Sequence, residues 1–263
     1  MPTSLVIGST HMKTRNPREL ILVRHGESEH HTKGLTGGWT DTPLTQRGMS
    51  QSEAVGQALA LLCSNGHARF LSSDLLRAKG TAEIIAEQIN VLPSFHVELR
   101  ELNNGAAKDK TLKEAEQIAL PLTRPTADWV PYPGAESWRA MTSRVTAFLE
   151  AVAKGTEEDV LLVVSHGNAM VAIVHWWLEL EDRYWSSISY QFDCGSITRL
   201  SVNEWGERVI KKLNDTSHLR TRELLEQDAT LDRQQPRGGD RAGAVYPKRY
   251  PPDDTIPNQP IAW

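Results

Sequence analysis

The chain has 263 residues, of which 39% are hydrophobic and 24% charged, a composition typical of a folded protein rather than a fibrous or wholly disordered one. Its formal net charge of −4 gives no overall attraction to nucleic acid or to an anionic membrane surface. The sequence has no apolar run of the ~18 residues that span a bilayer, and the polar N-terminus is unlike a signal peptide. Only Cys63 and Cys194 are present, which excludes a disulfide framework. We therefore expect a cytoplasmic protein with neither a nucleic-acid nor a membrane partner.

Apolar runs and helical patterns alternate along the chain from residue 19 to residue 214. Continuous apolar runs of the kind buried in parallel sheets predict strands, and apolar residues at helical spacing predict the helices between them. The predicted strands are 20–23, 68–72, 95–99 and 160–164, with a closing hairpin of 196–202 and 209–213. The main predicted helices are 76–90, 137–153, 168–180 and a first helix that ends at Cys63 and starts at either Thr45 or Ser50. This alternation predicts an α/β fold, a three-layer sandwich with a mostly parallel central sheet and helices on both faces.

Three segments fall outside the regular alternation. Residues 1–18 are polar and are expected to form an N-terminal tail. Residues 100–135 are polar and rich in proline, which predicts an insertion at the edge of the sheet that can act as a cap. Residues 215–263 form a C-terminal extension for which two interpretations stay open. It is either disordered or an extended arm, anchored by its aromatic side chains, that wraps the body or a partner subunit; these side chains are Tyr246, Tyr250 and Trp263.

Polar and charged side chains follow four of the predicted strands. In an open parallel sheet, ligands bind beyond the carboxyl ends of the strands, so these residues are expected to meet at one edge. The four segments are Arg24-His25-Gly26-Glu27, Ser73-Asp74-Leu75-Leu76-Arg77, Arg100-Glu101 and Ser165-His166-Gly167-Asn168.

This set of residue types is suited to phosphoryl transfer. The planar guanidinium groups of Arg24 and Arg77 can bind one anion from two sides. The same positive charges disfavour the protonated form of His25 and lower its pKa, which leaves a neutral nitrogen that can act as a nucleophile. His166 is a second donor toward the anion, and Glu101 supplies a carboxylic acid that can protonate a leaving oxygen.

The ordered motifs resemble those of the histidine phosphatase superfamily and, more narrowly, its phosphoglycerate-mutase-like branch. The resemblance extends over residues 18–213 and rests on Arg24-His25-Gly26-Glu27, Asp41-Thr42-Pro43-Leu44-Thr45, Ser72-Ser73-Asp74-Leu75-Leu76-Arg77 and Ser165-His166-Gly167. It implies a phosphatase acting on a small phosphorylated metabolite without a metal or an organic cofactor. A homodimer is also possible, because related enzymes often form dimers.

The resemblance also implies a role for each matched residue. His25 would be the nucleophile that becomes phosphorylated, with Arg24, Arg77 and His166 around the same phosphate. Glu101 would act first as the general acid and then as the base that activates water. The remaining two matched positions are Gly167, which allows a close approach of the backbone to the ligand, and Asn168, which would lie against the bound phosphate.

Several positions depart from the family pattern. His31 occupies the place of an asparagine that contacts the phosphate, so either the histidine replaces that contact or the loop shifts and removes it. Where mutases have an arginine and a tyrosine after the acid, this chain has Leu102-Asn103-Asn104-Gly105. Arg124 stands where mutases have a pair of arginines. These departures favour a phosphatase over a mutase.

Three other interpretations compete with the phosphatase. A mutase would move the phosphoryl group within its substrate, and a non-catalytic module would only bind a phosphorylated ligand. His25, His30 and His31 also suggest a zinc site, but they lack the spaced cysteine or acidic partners of a typical one. We therefore predict no metal site.

Overall fold

A single sheet organises the chain in the computed structural model, which describes residues 17–60, 62–63, 68–156, 158–185 and 187–219. Its strands are β1 (Glu19–Arg24), β2 (Ala68–Ser73), β3 (Ser94–His96), β4 (Val160–Ser165), β5 (Ile197–Val202) and β6 (Arg208–Asp215). The strand order is β3-β2-β4-β1-β5-β6. Neighbours from β3 to β1 run parallel, and β5 and β6 are antiparallel. The predicted, mostly parallel sheet is confirmed.

Helices cover both faces of this sheet. They are α1 (Glu29–Thr32), α2 (Gln46–Ala60), α3 (Leu76–Ile89), α4 (Leu112–Gln117), α5 (Trp138–Lys154) and α6 (Gly167–Trp177). Alternate residues of β1 point to opposite faces, as the pleat of a strand requires. Leu20 and Leu22 pack with α5 and α6, whereas Ile21 and Val23 pack with α2 and α3. The three-layer α/β sandwich predicted from the sequence is therefore confirmed. None of the helices in the described residues is long and apolar enough to cross a membrane.

The third strand is shorter than the sequence predicts. The apolar pattern of residues 95–99 predicts one strand, but β3 ends at His96 and a 3-10 turn covers Val97–Leu99. The strand lies at the edge of the sheet, where it pairs only with β2. In the turn Leu99 is fully buried while Val97 remains 43% exposed. The turn therefore places Leu99, but not Val97, in the core.

The segment between the Val97–Leu99 turn and α5 contains α4 and two further 3-10 turns, Gly105–Ala107 and Thr126–Asp128. It is joined to the loop after α1, because Leu35 and Thr111 form an isolated bridge and the Thr36 amide donates to the Lys110 carbonyl. Its function as a cap stays a prediction, as do the domain boundaries. Residues 1–16 and 220–263, and with them the aromatic residues of the predicted arm, lie outside the described residues.

Candidate active site

The carboxyl ends of β1, β2 and β4 bring the predicted residues to one edge of the sheet. His25 follows β1 directly, Arg77 lies in the first turn of α3 after β2, and His166 links β4 to α6. The ring centroids of His25 and His166 are 5.0 Å apart. The three side chains are buried, so they lie together at the bottom of the site.

The environment of His25 determines which of its nitrogens is protonated. Nδ1 lies 2.7 Å from the Gly26 carbonyl oxygen, which can only accept a hydrogen bond, so Nδ1 carries the proton. Nε2 accepts a hydrogen bond of 3.1 Å from Nε of Arg77. Burial, followed by the charges of Arg77, His166 and Arg24, lowers the pKa of His25 well below its usual value. The ring is therefore neutral, with the lone pair of Nε2 directed toward the arginine.

Arg77 is held in place by the backbone of the loop before α2. Its Nη1 donates to the Thr40 carbonyl and its Nη2 to the Gly38 carbonyl, both at 2.7 Å. Gly38 has a φ of +58°, and a Cβ there would lie 2.5 Å from the Asn104 side chain, so the position requires glycine. Burial lowers the pKa of Arg77 to about 10, which leaves the guanidinium charged near neutral pH.

Arg24 and His31 direct two hydrogen-bond donors at the same place. Nδ1 of His31 accepts the Ser28 amide at 3.2 Å, and burial with the Arg24 charge lowers the pKa of His31 to about 3. The neutral ring therefore carries its proton on Nε2, which lies 3.3 Å from Nη2 of Arg24. Two N–H groups cannot satisfy each other, and Sγ of Cys194, at 3.8 Å from Nε2, is only a weak acceptor. The pair thus needs a stronger shared acceptor.

Two more buried nitrogens have no hydrogen-bond partner among the described residues. These are Nε of Arg24 and Nδ1 of His166. The other nitrogen of His166, Nε2, lies 2.8 Å from the Ser73 hydroxyl, and burial followed by the charge of Arg77 lowers the pKa of the ring well below its usual value. Buried polar groups are rarely left without a partner, so these atoms point to a ligand rich in acceptor oxygens. A phosphate group supplies such oxygens, and arginine binds it well.

The carboxylate of Glu101 lies at the N-terminus of α6. Its Oε1 accepts the Leu102 amide at 2.8 Å, and its Oε2 accepts the Asn168 amide at 3.1 Å. Gly167 lies beside it, since a Cβ on this glycine would be 3.8 Å from Oε2. The residue that the sequence marks as the acid is thus buried next to the loop that carries His166. Asn168 contacts Glu101 through its backbone, and its contact with phosphate stays a prediction.

The structure also brings in two residues that the sequence reasoning missed. Arg144 and Glu136 form an ion pair in which Nη2 and Oε2 are 2.8 Å apart. Arg144 also donates to the Glu98 carbonyl at 2.7 Å and to the Glu101 carbonyl at 3.3 Å. Charged residues on an amphipathic helix usually face solvent, so nothing local marks Arg144 as different. The signal is a long-range contact, which a single sequence does not show.

The three histidines that suggest a zinc site contact other groups. Within the part of the chain that the structure describes, no group of three histidine, cysteine, aspartate or glutamate side chains is arranged to hold a metal ion. Nδ1 of His30 is instead 2.8 Å from the Ser28 hydroxyl, and Nδ1 of His25 faces a backbone carbonyl.

Solved structures with the same fold include enzymes of phosphate chemistry. A mycobacterial glucosyl-3-phosphoglycerate phosphatase solved with VO3 has a TM-score of 0.64 at 24% identity, over 76% of this chain and 100% of the other. Bacillus stearothermophilus YhfR has a TM-score of 0.65 at 24% identity, over 77% of this chain and 99% of the other. At this level of identity the two similarities establish the fold.

Sequence comparisons establish the family. A probable phosphoglycerate mutase GpmB from Salmonella typhi is 33% identical over 216 residues, which cover 79% of this chain and 98% of that protein. The family model described as histidine phosphatase superfamily (branch 1) matches residues 20–216. The chain therefore belongs to the histidine phosphatase superfamily and, as its motifs indicate, to the phosphoglycerate-mutase-like branch.

Proposed function

We propose that this protein is a phosphatase that hydrolyses a small phosphomonoester through a phosphohistidine on His25. The observation that carries the proposal is the hydrogen bond between Nδ1 of His25 and the Gly26 carbonyl. It leaves the lone pair on Nε2, and the lowered pKa keeps this nitrogen unprotonated near neutral pH. A neutral imidazole surrounded by arginines is the group that phosphoryl transfer to nitrogen needs.

In the first step the substrate phosphate binds between Arg24, Arg77 and His166. Its oxygens accept the N–H groups that lack a partner, and the phosphate takes the position of the Arg77 donor in front of Nε2. That nitrogen attacks phosphorus while the bond from phosphorus to the ester oxygen breaks. Glu101 in its protonated form gives its proton to the departing oxygen, so the products of this step are an alcohol, a phosphohistidine and a Glu101 carboxylate.

In the second step water hydrolyses the phosphohistidine. Glu101, now ionised, accepts a proton from the water as its oxygen attacks phosphorus. The bond from phosphorus to Nε2 breaks, the lone pair returns to His25 and inorganic phosphate leaves. Glu101 is again protonated, so the cycle closes without any group outside the site. The positive charge that stabilises both steps comes from Arg24 and Arg77.

His31 takes part in phosphate binding in this proposal. Its Nε2–H and Nη2 of Arg24 converge at 3.3 Å and need a common acceptor, which a phosphate oxygen supplies. The histidine thereby replaces the asparagine that the family resemblance places at this position. The loop does not need to shift, because α1 holds His31 through the Ser28 amide.

A mutase is the second candidate, and the name of the Salmonella relatives favours it. A mutase has to hold a second anionic group of its substrate. The residues after Glu101 are Leu102 and two asparagines, and Asn104 is engaged with the backbone of Trp39 and Gly37. Arg124 is exposed in the segment between α4 and α5. Incubation with 3-phosphoglycerate distinguishes the two functions, because a phosphatase releases inorganic phosphate and a mutase forms the 2-isomer.

Replacement of the nucleophile tests the proposal directly. We expect His25→Ala to abolish the release of p-nitrophenol from p-nitrophenyl phosphate, with circular dichroism showing an intact fold. A matched control is His96→Ala, since His96 contacts the Ser94 hydroxyl on β3, which β2 and β4 separate from β1. Near-full activity of the His25 variant contradicts the proposal, and a wild-type protein that binds phosphate without releasing product supports the non-catalytic module instead.

A further inference from the structure

One side chain of α5 donates hydrogen bonds to the backbone of the short segment that carries Glu101. Arg144 directs Nη1 at the Glu98 carbonyl at 2.7 Å and, more weakly, at the Arg100 carbonyl at 3.3 Å. Its Nη2 reaches the Glu101 carbonyl at 3.3 Å. One guanidinium group therefore spans the backbone from the end of the 3-10 turn to Glu101.

Glu136 fixes the orientation of this guanidinium and adds hydrogen bonds to the same segment. Its two carboxylate oxygens accept Nε and Nη2 of Arg144 at 2.9 and 2.8 Å, which makes the pair bidentate. The carboxylate also accepts the Asn103 amide at 3.0 Å, and the Glu136 amide donates to the Asn103 carbonyl. The pair is about four-fifths buried, so water competes little with these contacts. Both sides of Glu101 in the sequence are thus held by the same ion pair.

Among the described residues, the hydrogen bonds of the Glu101 carboxyl group come from backbone amides, while its charge also acts on that of Arg77. It accepts one amide from its own segment, that of Leu102, and one from α6, that of Asn168. Its place relative to His25 therefore depends on where the segment lies between α5 and α6. Two other side chains also hold this segment. The Ser165 hydroxyl donates to the Leu99 carbonyl at 2.8 Å, and Nε1 of Trp39 donates to the Glu101 carbonyl at 2.8 Å.

We propose that the Glu136–Arg144 ion pair is a positioning device for Glu101, which places its carboxyl group for proton transfer to the leaving oxygen. The inference rests on the proposed function, in which Glu101 is the proton donor of the first step. Arg144 acts through the backbone of residues 98–103 and is a positioning residue. The effect depends on the planar fork of the arginine, because a lysine ammonium keeps the charge but cannot contact a carboxylate and several carbonyls in one plane.

Leaving-group dependence separates this role from a purely structural one. p-Nitrophenolate departs without protonation, whereas the alkoxide of glycerol 2-phosphate has to be protonated as it leaves. Misplacement of the acid therefore slows the alkyl ester far more than the aryl ester. The value of kcat/KM reports the first step, so the ratio of kcat/KM for the two esters measures how well the proton donor is placed.

The experiment uses the full chain with the substitutions Glu101→Gln, Arg144→Lys and Glu136→Gln, and Arg139→Lys as the matched control. Arg139 lies on the same helix but pairs with Asp128 and Asp182. For Glu101→Gln we expect a loss of ~100-fold or more on glycerol 2-phosphate and a much smaller loss on the aryl ester. For Arg144→Lys we expect the aryl-to-alkyl ratio to rise about tenfold, less than the ~100-fold that a 1 Å misplacement can cost. Arg139→Lys should keep the wild-type ratio.

The outcomes separate the inference from the proposed function. If Glu101→Gln raises the ratio but Arg144→Lys and Glu136→Gln slow both esters equally, the ion pair is only structural and the inference is overturned. If Glu101→Gln itself leaves the ratio unchanged, the assignment of the proton donor is wrong. Should Arg144→Lys fail to fold, as judged by its thermal unfolding, Glu136→Gln decides alone, since glutamine can still accept the Asn103 amide.

Discussion

At the scale of single residues, the backbone decides the chemistry of the imidazoles in this site. His25 donates Nδ1–H to a carbonyl and so presents a lone pair, whereas His31 accepts an amide on Nδ1 and so presents an N–H. Two residues of the same type, six positions apart, thus present opposite hydrogen-bonding groups. One is suited to attack phosphorus and the other to bind a phosphate oxygen. The sequence shows both histidines but not which nitrogen each one turns toward the ligand.

The buried neutral histidines make stability depend on pH. Burial, followed by the charges of His31, Arg77 and Arg24, lowers the pKa of His30 from 6.5 to about 2. Below pH 6.5 the unfolded chain binds a proton at this residue and the folded chain does not, so stability falls as the pH falls. We expect His30 alone to reduce the free energy of unfolding by about 1.4 kcal/mol between pH 7.5 and pH 5.5.

Urea denaturation of the wild type and of His30→Asn at these two pH values measures this effect. The variant should lose about 1.4 kcal/mol less than the wild type, because asparagine has no proton to gain. An equal loss in both proteins would mean that His30 is not held neutral. If phosphate binds the folded state at the proposed site, inorganic phosphate should raise the stability of both proteins at either pH.

At the scale of elements, the loop after β1 lies directly on the backbone of α2. A Cβ on Gly48 would lie 1.9 Å from the Glu27 carbonyl oxygen, and a Cβ on Gly26 would lie 2.4 Å from the Gly48 carbonyl oxygen. The contact is between two backbones, so no side chain can move aside to relieve it. The loop that carries His25 is therefore positioned by the close approach of α2.

Substitution of Gly48 tests how this contact positions the nucleophile. We expect Gly48→Ala to lower the free energy of unfolding by about 1–3 kcal/mol, the usual cost of overpacking, and to reduce phosphatase activity. Gly80→Ala is the matched control in α3, because its Cβ would lie 3.4 Å from a methyl group of Leu44, a side-chain atom rather than a backbone atom. Urea denaturation and p-nitrophenyl phosphate assays measure both. If Gly48→Ala keeps the stability and activity of the wild type, this contact does not position the nucleophile.

The main elements were predictable because their hydrophobic patterns are strong. The central strand β4 has the most continuous apolar run of the chain, and all of its residues from Leu161 to Val164 are fully buried. The helix predicted over 137–153 begins at its N-cap Ser137, whose side chain accepts the Ala140 amide. The short elements were harder to predict from the hydrophobic pattern. Helix α1 has four residues and begins with a capping box in which His31 takes the place usually held by glutamate or glutamine.

At the scale of the whole molecule, the order of the strands turns separate motifs into one site. His25, Arg77 and His166 follow three strands that are neighbours in the sheet, so their meeting was predictable from the rule for parallel sheets. The ion pair of Glu136 and Arg144 was not predictable, because it connects α5 to a segment more than forty residues away. We expect the substrate preference to depend on residues 100–135, which contact the loop after α1. A possible homodimer stays a prediction.

The central claim is that Nε2 of His25 carries the phosphoryl group between the two steps. The most direct test is to mix the protein with a ³²P-labelled phosphomonoester, stop the reaction within milliseconds in alkali and measure the label that stays on the protein. We predict label that is stable to alkali and released by mild acid, as expected for phosphohistidine, located in the peptide that contains His25 and missing from His25→Ala. Turnover without labelled protein under these conditions, or label on another residue, would contradict the account.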